Sequence, residues 1–268
     1  MEFNKIAVLG AGTMGTGIVW AFAVAGKEVM VYDIYQEVVD RCIANVKKGI
    51  AKQEEKGKVP AGTADALKIT GTIKLEDVGA ADFVLETVLE KMNIKKDVYG
   101  KLSNILGDDI IVATNTSALP ITEIATAYKK PDKVVGMHFF NPAQIMQLIE
   151  VIAAAQTSQE TVDAVFALSK AINKKPIQVK EGPGFVVNRI LVPGINEAAF
   201  ILYEGLASVP DIDTAMKLGA GWPMGPLALG DLVGIDIALE VCNTLFEETG
   251  DPKYRPAPPL KQYVRAGW

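Results

Sequence analysis

The 268-residue chain contains a single histidine, His138, so any imidazole acid–base chemistry must pass through that position. Histidine is the side chain that exchanges a proton near neutral pH. His138 ends the apolar, β-branched run Val134-Val-Gly-Met-His138, and open α/β sheets meet their ligands at strand ends. Asn141-Pro142 interrupts the run, and Met146-Gln-Leu-Ile-Glu-Val-Ile152 resumes it. If the two segments form a hairpin, His138 and Glu150, equidistant from Gln144, face each other on paired strands. A carboxylate there orients the imidazole and stabilises its cation, which suits removal of a proton from an alcohol whose carbon gives up hydride. The competing reading is a core histidine satisfied by hydrogen bonds beside an ordinary strand carboxylate.

Hydride chemistry needs a carrier, and the opening of the chain has the residues to hold one. Lys5-Ile-Ala-Val-Leu-Gly10-Ala11-Gly12-Thr13-Met14-Gly15 reads as a strand, a glycine turn and a helix start, and Glu28-Val-Met-Val-Tyr-Asp33 as a second strand ending in an acid. Gly10 permits the tight turn, Gly12 lets the backbone approach a pyrophosphate, and Gly15 lets the helix pack on the sheet. The helix start offers amide N–H groups to phosphates. Asp33 is placed to accept hydrogen bonds from adenosine ribose hydroxyls and to repel a 2′-phosphate, and Ile34 and Tyr35 supply no cation for one. NAD is therefore expected rather than NADP. FAD shares the same opening and stays a weaker alternative.

Two further groups lie where ligands are expected. Thr114-Asn115-Thr116-Ser117-Ala118 follows a strand and opens a helix at Pro120, so its hydroxyls either cap that helix or reach a ligand. Ser117 is taken as the ligand-facing hydroxyl. Asn188 falls in the first turn of a long helix after a linker, where its amide either points back into an interdomain cleft or serves the helix surface.

The elements that must position these residues alternate along the first two thirds of the chain. Strand-like runs at 6–9, 29–32, 83–86, 110–113 and 134–138 are separated by helical stretches, the signature of a parallel, doubly wound sheet. A helix at 14–25 and a long helical pattern at 36–58 lie between the first runs. The latter is lysine-dense toward its end, where Lys52 and Lys56 stand one helical turn apart. After Pro176-Ile-Gln-Val-Lys180, Glu181-Gly-Pro-Gly184 reads as a linker and everything beyond as helix: 185–207, bent at Pro193-Gly194, then 210–218 and 235–248. The expectation is an α/β architecture, a Rossmann-type doubly wound domain over 1–183 followed by an all-α domain over 184–268. So small a helical unit is expected to pack on a second copy of the chain as a homodimer.

Composition narrows the partners. A net charge of −5 with no polybasic patch argues against nucleic acid. Cys42 and Cys242, far apart in helical patterns, suit a reduced cytoplasmic compartment and offer no metal-ligand spacing. Neither a signal peptide nor a membrane span is indicated.

With these motifs assembled, the chain resembles the 3-hydroxyacyl-CoA dehydrogenase family, and most closely its short-chain bacterial 3-hydroxybutyryl-CoA members. The resemblance rests on Gly10-Ala-Gly-Thr-Met-Gly15, Thr114-Asn-Thr-Ser117, Gly136-Met-His-Phe-Phe-Asn-Pro142, Leu148-Ile-Glu-Val151, Gly184-Phe-Val-Val-Asn-Arg189 and Pro223-Met-Gly-Pro-Leu227. It implies that His138 is the catalytic base, Glu150 its partner, and Ser117, Asn141 and Asn188 substrate-positioning groups. It further implies that Glu90, Lys95 and Asn115 line the cofactor site and that Lys52 and Lys56 meet the phosphates of coenzyme A. Gly219-Ala-Gly-Trp222 departs from the more polar family tetrapeptide. The chain stops at Ala266-Gly-Trp268, where relatives continue through a glycine- and aromatic-containing tail. The alternatives are a dehydrogenase of free 3-hydroxy acids, against which Asn188 stands where that class has a lysine, and a non-catalytic NAD-binding relative.

Overall fold

The structure, a computed structural model, describes residues 3–268 and divides into two compact units, Met1–Glu181 and Gly182–Trp268. The first unit runs β1 (Lys5–Leu9), α1 (Thr13–Val24), β2 (Glu28–Tyr32), α2 (Gln36–Glu55), α3 (Thr63–Ala66), β3 (Ile69–Thr72), β4 (Phe83–Glu86) and α4 (Met92–Ile105). It continues through β5 (Ile111–Thr114), α5 (Ile121–Ala125), β6 (Val134–Phe139), β7 (Leu148–Ala153), α6 (Gln159–Ala171) and β8 (Lys175–Lys180). One eight-stranded sheet has the order β3-β2-β1-β4-β5-β6-β7-β8. Every pair is parallel except β6 with β7, which form the antiparallel hairpin.

The composition of the central strands follows from their burial. Every residue of β4, β5 and β6 is buried, so these strands read as continuous apolar runs rather than alternating ones. Edge strand β3 is only half-buried or exposed along its length, and its polar Ile69-Thr-Gly-Thr72 composition hid it from the sequence reading. Phe22 of α1 packs against Phe139 of β6 with ring centroids 6.3 Å apart, joining helix layer to sheet.

Most expected helix and strand boundaries move by a residue, and two helix ends move for a visible reason. Helix α2 ends at Glu55, so Lys56 sits at its C-cap rather than on the helical face with Lys52. Helix α7 spans Val187–Tyr203 rather than 185–207, because Phe185 takes φ 51, in the left-handed region, and cannot begin a right-handed helix. The helix continues through Pro193. The first unit closes after Glu181. Glu181 is tied into it: its N–H donates to the Ala153 carbonyl at 3.1 Å, and its carboxylate accepts from the Thr122 N–H at 2.7 Å and from the Thr122 hydroxyl.

The second unit adds α8 (Val209–Gly219), α9 (Pro226–Val233), α10 (Ile235–Thr249) and α11 (Pro258–Ala266). Val192 and Ile195 of α7 pack with Ala238, Val241, Cys242 and Leu245 of α10. Asn196, 2% exposed, spends its amide on the segment before α11, donating to the Arg255 carbonyl at 3.0 Å and accepting from the Ala257 N–H at 2.7 Å. A buried amide satisfied on both sides fixes that segment. The Asp213 carboxylate caps α9 through the N–H groups of Leu227 at 2.8 Å and Ala228 at 3.0 Å.

Candidate active site

The antiparallel register sets His138 directly opposite Glu150. The His138 imidazole is 3% exposed and Glu150 is fully buried, with Nδ1 2.7 Å from Glu150 Oε2. A carboxylate is acceptor-only when ionised, so Nδ1–H donates to it and Nε2 is left with its lone pair directed away. That nitrogen lies 3.1 Å from the Ser117 hydroxyl. Ser117, His138 and Glu150 thus form one line across the ends of β5, β6 and β7, as hydroxyl, imidazole and carboxylate. The Phe140 ring closes one side of the imidazole with centroids 4.6 Å apart.

The loop carrying Ser117 is held from below rather than by helix capping. Pro120 stands at the N-cap of α5 without a side-chain cap, and the expected hydroxyls are used elsewhere. Thr116 donates its hydroxyl to Glu90 and accepts from the Leu119 N–H at 3.0 Å. Glu90 Oε1 also accepts from the N–H groups of Ser117 at 2.8 Å and Ala118 at 3.3 Å. Beneath it, the Lys95 ammonium, 1% exposed, lies 2.7 Å from Glu86 Oε1 and 3.2 Å from Glu90 Oε2. Burial pulls the Lys95 ammonium down, but the two carboxylates more than offset this and hold it above the usual lysine range. Thr114 donates to the other Glu86 oxygen at 2.8 Å. Lys95, expected to line the cofactor site, is therefore inside the fold, with Glu90 between it and the surface. Asn115, 8% exposed, accepts the Phe139 N–H at 2.8 Å and so pins β6 beside His138.

The glycine turn has the shape of a dinucleotide cradle. Gly10 takes φ +98, and a Cβ there would stand 2.5 Å from the Thr87 carbonyl oxygen. A Cβ on Gly15 would stand 1.8 Å from the Gly10 carbonyl oxygen, whereas one on Gly12 would meet nothing within 4 Å. The open space at Gly12 is the room a pyrophosphate needs, and α1 begins there with no side-chain cap on its first N–H groups. Thr13 is exposed and Met14 half-buried in that first turn. Asp33 sits at the end of β2, its Oδ2 accepting from the Ala11 N–H at 2.9 Å and its Oδ1 from the Tyr35 N–H at 3.3 Å. These residues fit a nicotinamide dinucleotide.

A cleft of about 580 Å³ opens outside the turn, between α1, α2 and the 140–147 loop. Ala11, Gly12 and Thr13 form one wall, Arg41 and Asn45 of α2 another, and Asn141, Pro142 and Gln144 a third. The sequence reading found Asn141 but missed Arg41, Asn45 and Gln144. Arg41 and Asn45 are four residues apart on α2, a helical-face spacing that was the available signal. Lys52 and Lys56 are exposed farther along the same segment and Asn188 is half-buried in the first turn of α7.

Comparison with known proteins identifies the family. Residues 5–182 match the family model for the 3-hydroxyacyl-CoA dehydrogenase NAD binding domain, and residues 184–268 that for the 3-hydroxyacyl-CoA dehydrogenase C-terminal domain. The chain is 52% identical to a 3-hydroxybutyryl-CoA dehydrogenase of Clostridioides difficile over 98% of its own length and 94% of that protein. It is 38% identical to the human mitochondrial hydroxyacyl-coenzyme A dehydrogenase, covering 97% of this chain and 86% of that one. The crystal structure of (S)-3-hydroxybutyryl-CoA dehydrogenase from Ralstonia eutropha superposes with a TM-score of 0.96 at 43% identity, covering 100% of this chain and 95% of that one. With its glycine cradle, its histidine–glutamate hairpin and both family domains matched in order, this chain belongs to the 3-hydroxyacyl-CoA dehydrogenase family.

Proposed function

We propose that the protein is an NAD-dependent oxidoreductase interconverting (S)-3-hydroxybutyryl-CoA and acetoacetyl-CoA, with His138 as the acid–base group. The observation that carries the reading is the alignment of Ser117, His138 and Glu150 at 3.1 and 2.7 Å. When bound, the nicotinamide dinucleotide supplies the hydride acceptor or donor.

In the oxidising direction His138 Nε2 takes the proton of the 3-hydroxyl as the C3–H bond breaks, and the imidazolium formed is stabilised by Glu150 across the strand pair. In the reducing direction the same nitrogen returns the proton to the alkoxide. Ser117 hydrogen-bonds the reacting oxygen, and Asn188 is assigned to the thioester end. Such positioning, which turns an encounter into an oriented reaction, contributes several kcal/mol, of the order of 7–11 in well-oriented systems. Gly10, Ala11, Gly12, Thr13, Met14 and Gly15 hold the pyrophosphate and Asp33 the adenosine ribose. Glu90 faces the nicotinamide half, with Lys95 supporting it from within and Asn115 holding the adjoining backbone. Arg41 joins Lys52 and Lys56 as a cation for the phosphates of coenzyme A.

A homodimer in the cytoplasm completes the proposal. Among described residues the helical unit exposes Ile190, Leu206, Leu218 and Leu232, each at least 67% accessible, and apolar surface of that kind favours self-association. Sedimentation of the purified chain tests it: a dimeric mass is expected, and a monomer at micromolar concentration removes that part.

The deciding experiment follows NADH oxidation with acetoacetyl-CoA, beside NADPH and beside free acetoacetate. Turnover with NADH and the CoA ester alone is expected. Equal turnover of free acetoacetate would instead assign the free-acid reaction, and NADH binding without turnover a non-catalytic role.

A further inference from the structure

Lysine 174 lies outside the hydrogen-bond line of the active site, yet its surroundings are not those of a surface lysine. It follows the end of α6, where Asn173 turns the chain with φ 59, a left-handed conformation asparagine tolerates. The turn sends the Lys174 side chain inward: the residue is 6% exposed. Its Nζ donates to the Ala143 carbonyl at 2.7 Å and to the Met146 carbonyl at 2.8 Å. Among the described residues no carboxylate pairs with it, and burial lowers its ammonium from the ordinary lysine value. A buried cation is costly, and an apolar side chain would fill this space without that cost. What the ammonium provides is two strong donors aimed at two carbonyls of one loop.

That loop, 140–147, begins immediately after β6 and bears on both halves of the site. Phe140 at its start lies against the His138 ring, and Asn141, Pro142 and Gln144 form one wall of the cleft beside the glycine turn. On its front, the loop lies directly on α1. A Cβ on Gly17 would come within 2.7 Å of Gln144 Oε1 and 3.1 Å of the Ala143 Cβ. The loop is therefore seated between Gly17 in front and the Lys174 ammonium behind.

We propose that Lys174 is a positioning residue whose ammonium clamps the 140–147 loop and thereby sets the substrate wall and the Phe140 ring against His138 for the acyl-CoA reaction. The kinetic half of this inference rests on the function proposed above. The residue touches no substrate or cofactor; it acts through the loop.

The test uses the full chain with Lys174→Met, which keeps the stem length and removes every N–H, and Lys174→Gln, whose shorter amide cannot reach both carbonyls. In each, hydrogen exchange of the 140–147 backbone is followed by mass spectrometry, and acetoacetyl-CoA reduction by steady-state kinetics. Faster exchange confined to 140–147 is expected, with segment 5–24 unchanged. So is a fall of about 10- to 100-fold in kcat/KM for acetoacetyl-CoA, the scale that a small misplacement of a reacting group produces. The NADH dissociation constant should change much less than kcat/KM, because Asp33 and the glycine turn are braced by a bond of their own while the loop meets α1 at Gly17. Unchanged loop exchange, or exchange that rises evenly across the unit, overturns the clamp. So does a folded variant in which NADH affinity and acetoacetyl-CoA kinetics fall together. If Lys174→Met does not fold, Lys174→Gln is judged by the same readouts. Failure of the wild-type chain to reduce acetoacetyl-CoA would sink the proposed reaction, whereas the exchange readout still decides on the clamp.

Discussion

Replacing Glu150 by glutamine changes one charge and almost no volume at a position with no solvent access. The wild-type carboxylate accepts from His138 Nδ1 at 2.7 Å, and the bond becomes charge-assisted on both sides once the imidazole is protonated. Hydrogen bonds to charged groups contribute roughly 1.5–3 kcal/mol, which at about 1.4 kcal/mol per decade corresponds to a loss of about 10- to 150-fold in kcat. The amide can also turn its NH2 toward Nδ1, favouring the tautomer that carries its proton on Nε2 and cannot act as base, so the loss should sit at the upper end of that range. Three strands, β4, β5 and β6, stand between β1 and β7, so the cradle at the end of β1 should be untouched. The assay measures kcat in both directions with the CoA substrates, together with NADH affinity and a thermal melt, well below the melting temperature. The oxidising kcat should fall by that factor, because the imidazolium forms on the way to that transition state, while the reducing kcat, which starts from the imidazolium, should fall less, and NADH binds as before. A folded Glu150→Gln protein with an oxidising kcat within about threefold of wild type would refute the dyad as the acid–base unit.

Other substitutions separate the remaining parts. Gly12→Ala meets no atom and should melt like wild type yet lose NADH affinity at least tenfold; Gly15→Ala, with its Cβ 1.8 Å from a carbonyl oxygen, should fail to fold or to bind NADH. Wild-type NADH affinity in the first would remove Gly12 from the pyrophosphate site. Ser117→Ala deletes one hydrogen bond of roughly 1 kcal/mol and should lower kcat about fivefold without moving NADH affinity, and an unchanged kcat would remove the hydroxyl from the reaction. Burial pushes the Cys242 thiol up to about 12 and raises Cys42 as well, so neither should react with a thiol reagent in the native protein at pH 8, and both should on unfolding. Both thiols hold their protons more tightly folded than unfolded, so their contribution to stability is complete below about pH 9 and is lost as pH rises above it, for Cys242 through about 12. A native thiol that reacts as fast as in the unfolded chain would contradict this.

What the sequence made legible was whatever depends on short periods and chain breaks. The His138–Glu150 pairing could be read because strands repeat every two residues and a turn centred on Gln144 leaves a single symmetric register. The glycine cradle could be read because each glycine answers a separate steric demand. Glu86, Glu90 and Lys95 were not legible as a network. A charged helix start looks solvated in one dimension, and only the burial of Lys95 with its ion pair to Glu86 at the end of β4 shows that it points inward. Lys174 escaped for a similar reason: nothing local marks a lysine whose acceptors lie about thirty residues upstream. The start of α7 was misplaced because the left-handed backbone at Phe185 leaves no trace in an apolar run.

Asp33 has a second tenant. The carboxylate that is to meet the ribose already holds the Ala11 N–H at 2.9 Å, and so braces the glycine turn from the neighbouring strand. Cofactor preference and turn rigidity are therefore encoded by one side chain. Converting the chain to a phosphate-bearing dinucleotide by exchanging Asp33 for a cation would strip the turn of its brace at the same stroke. A successful redesign would have to install a new acceptor for the Ala11 N–H before it offers a new partner to the ribose.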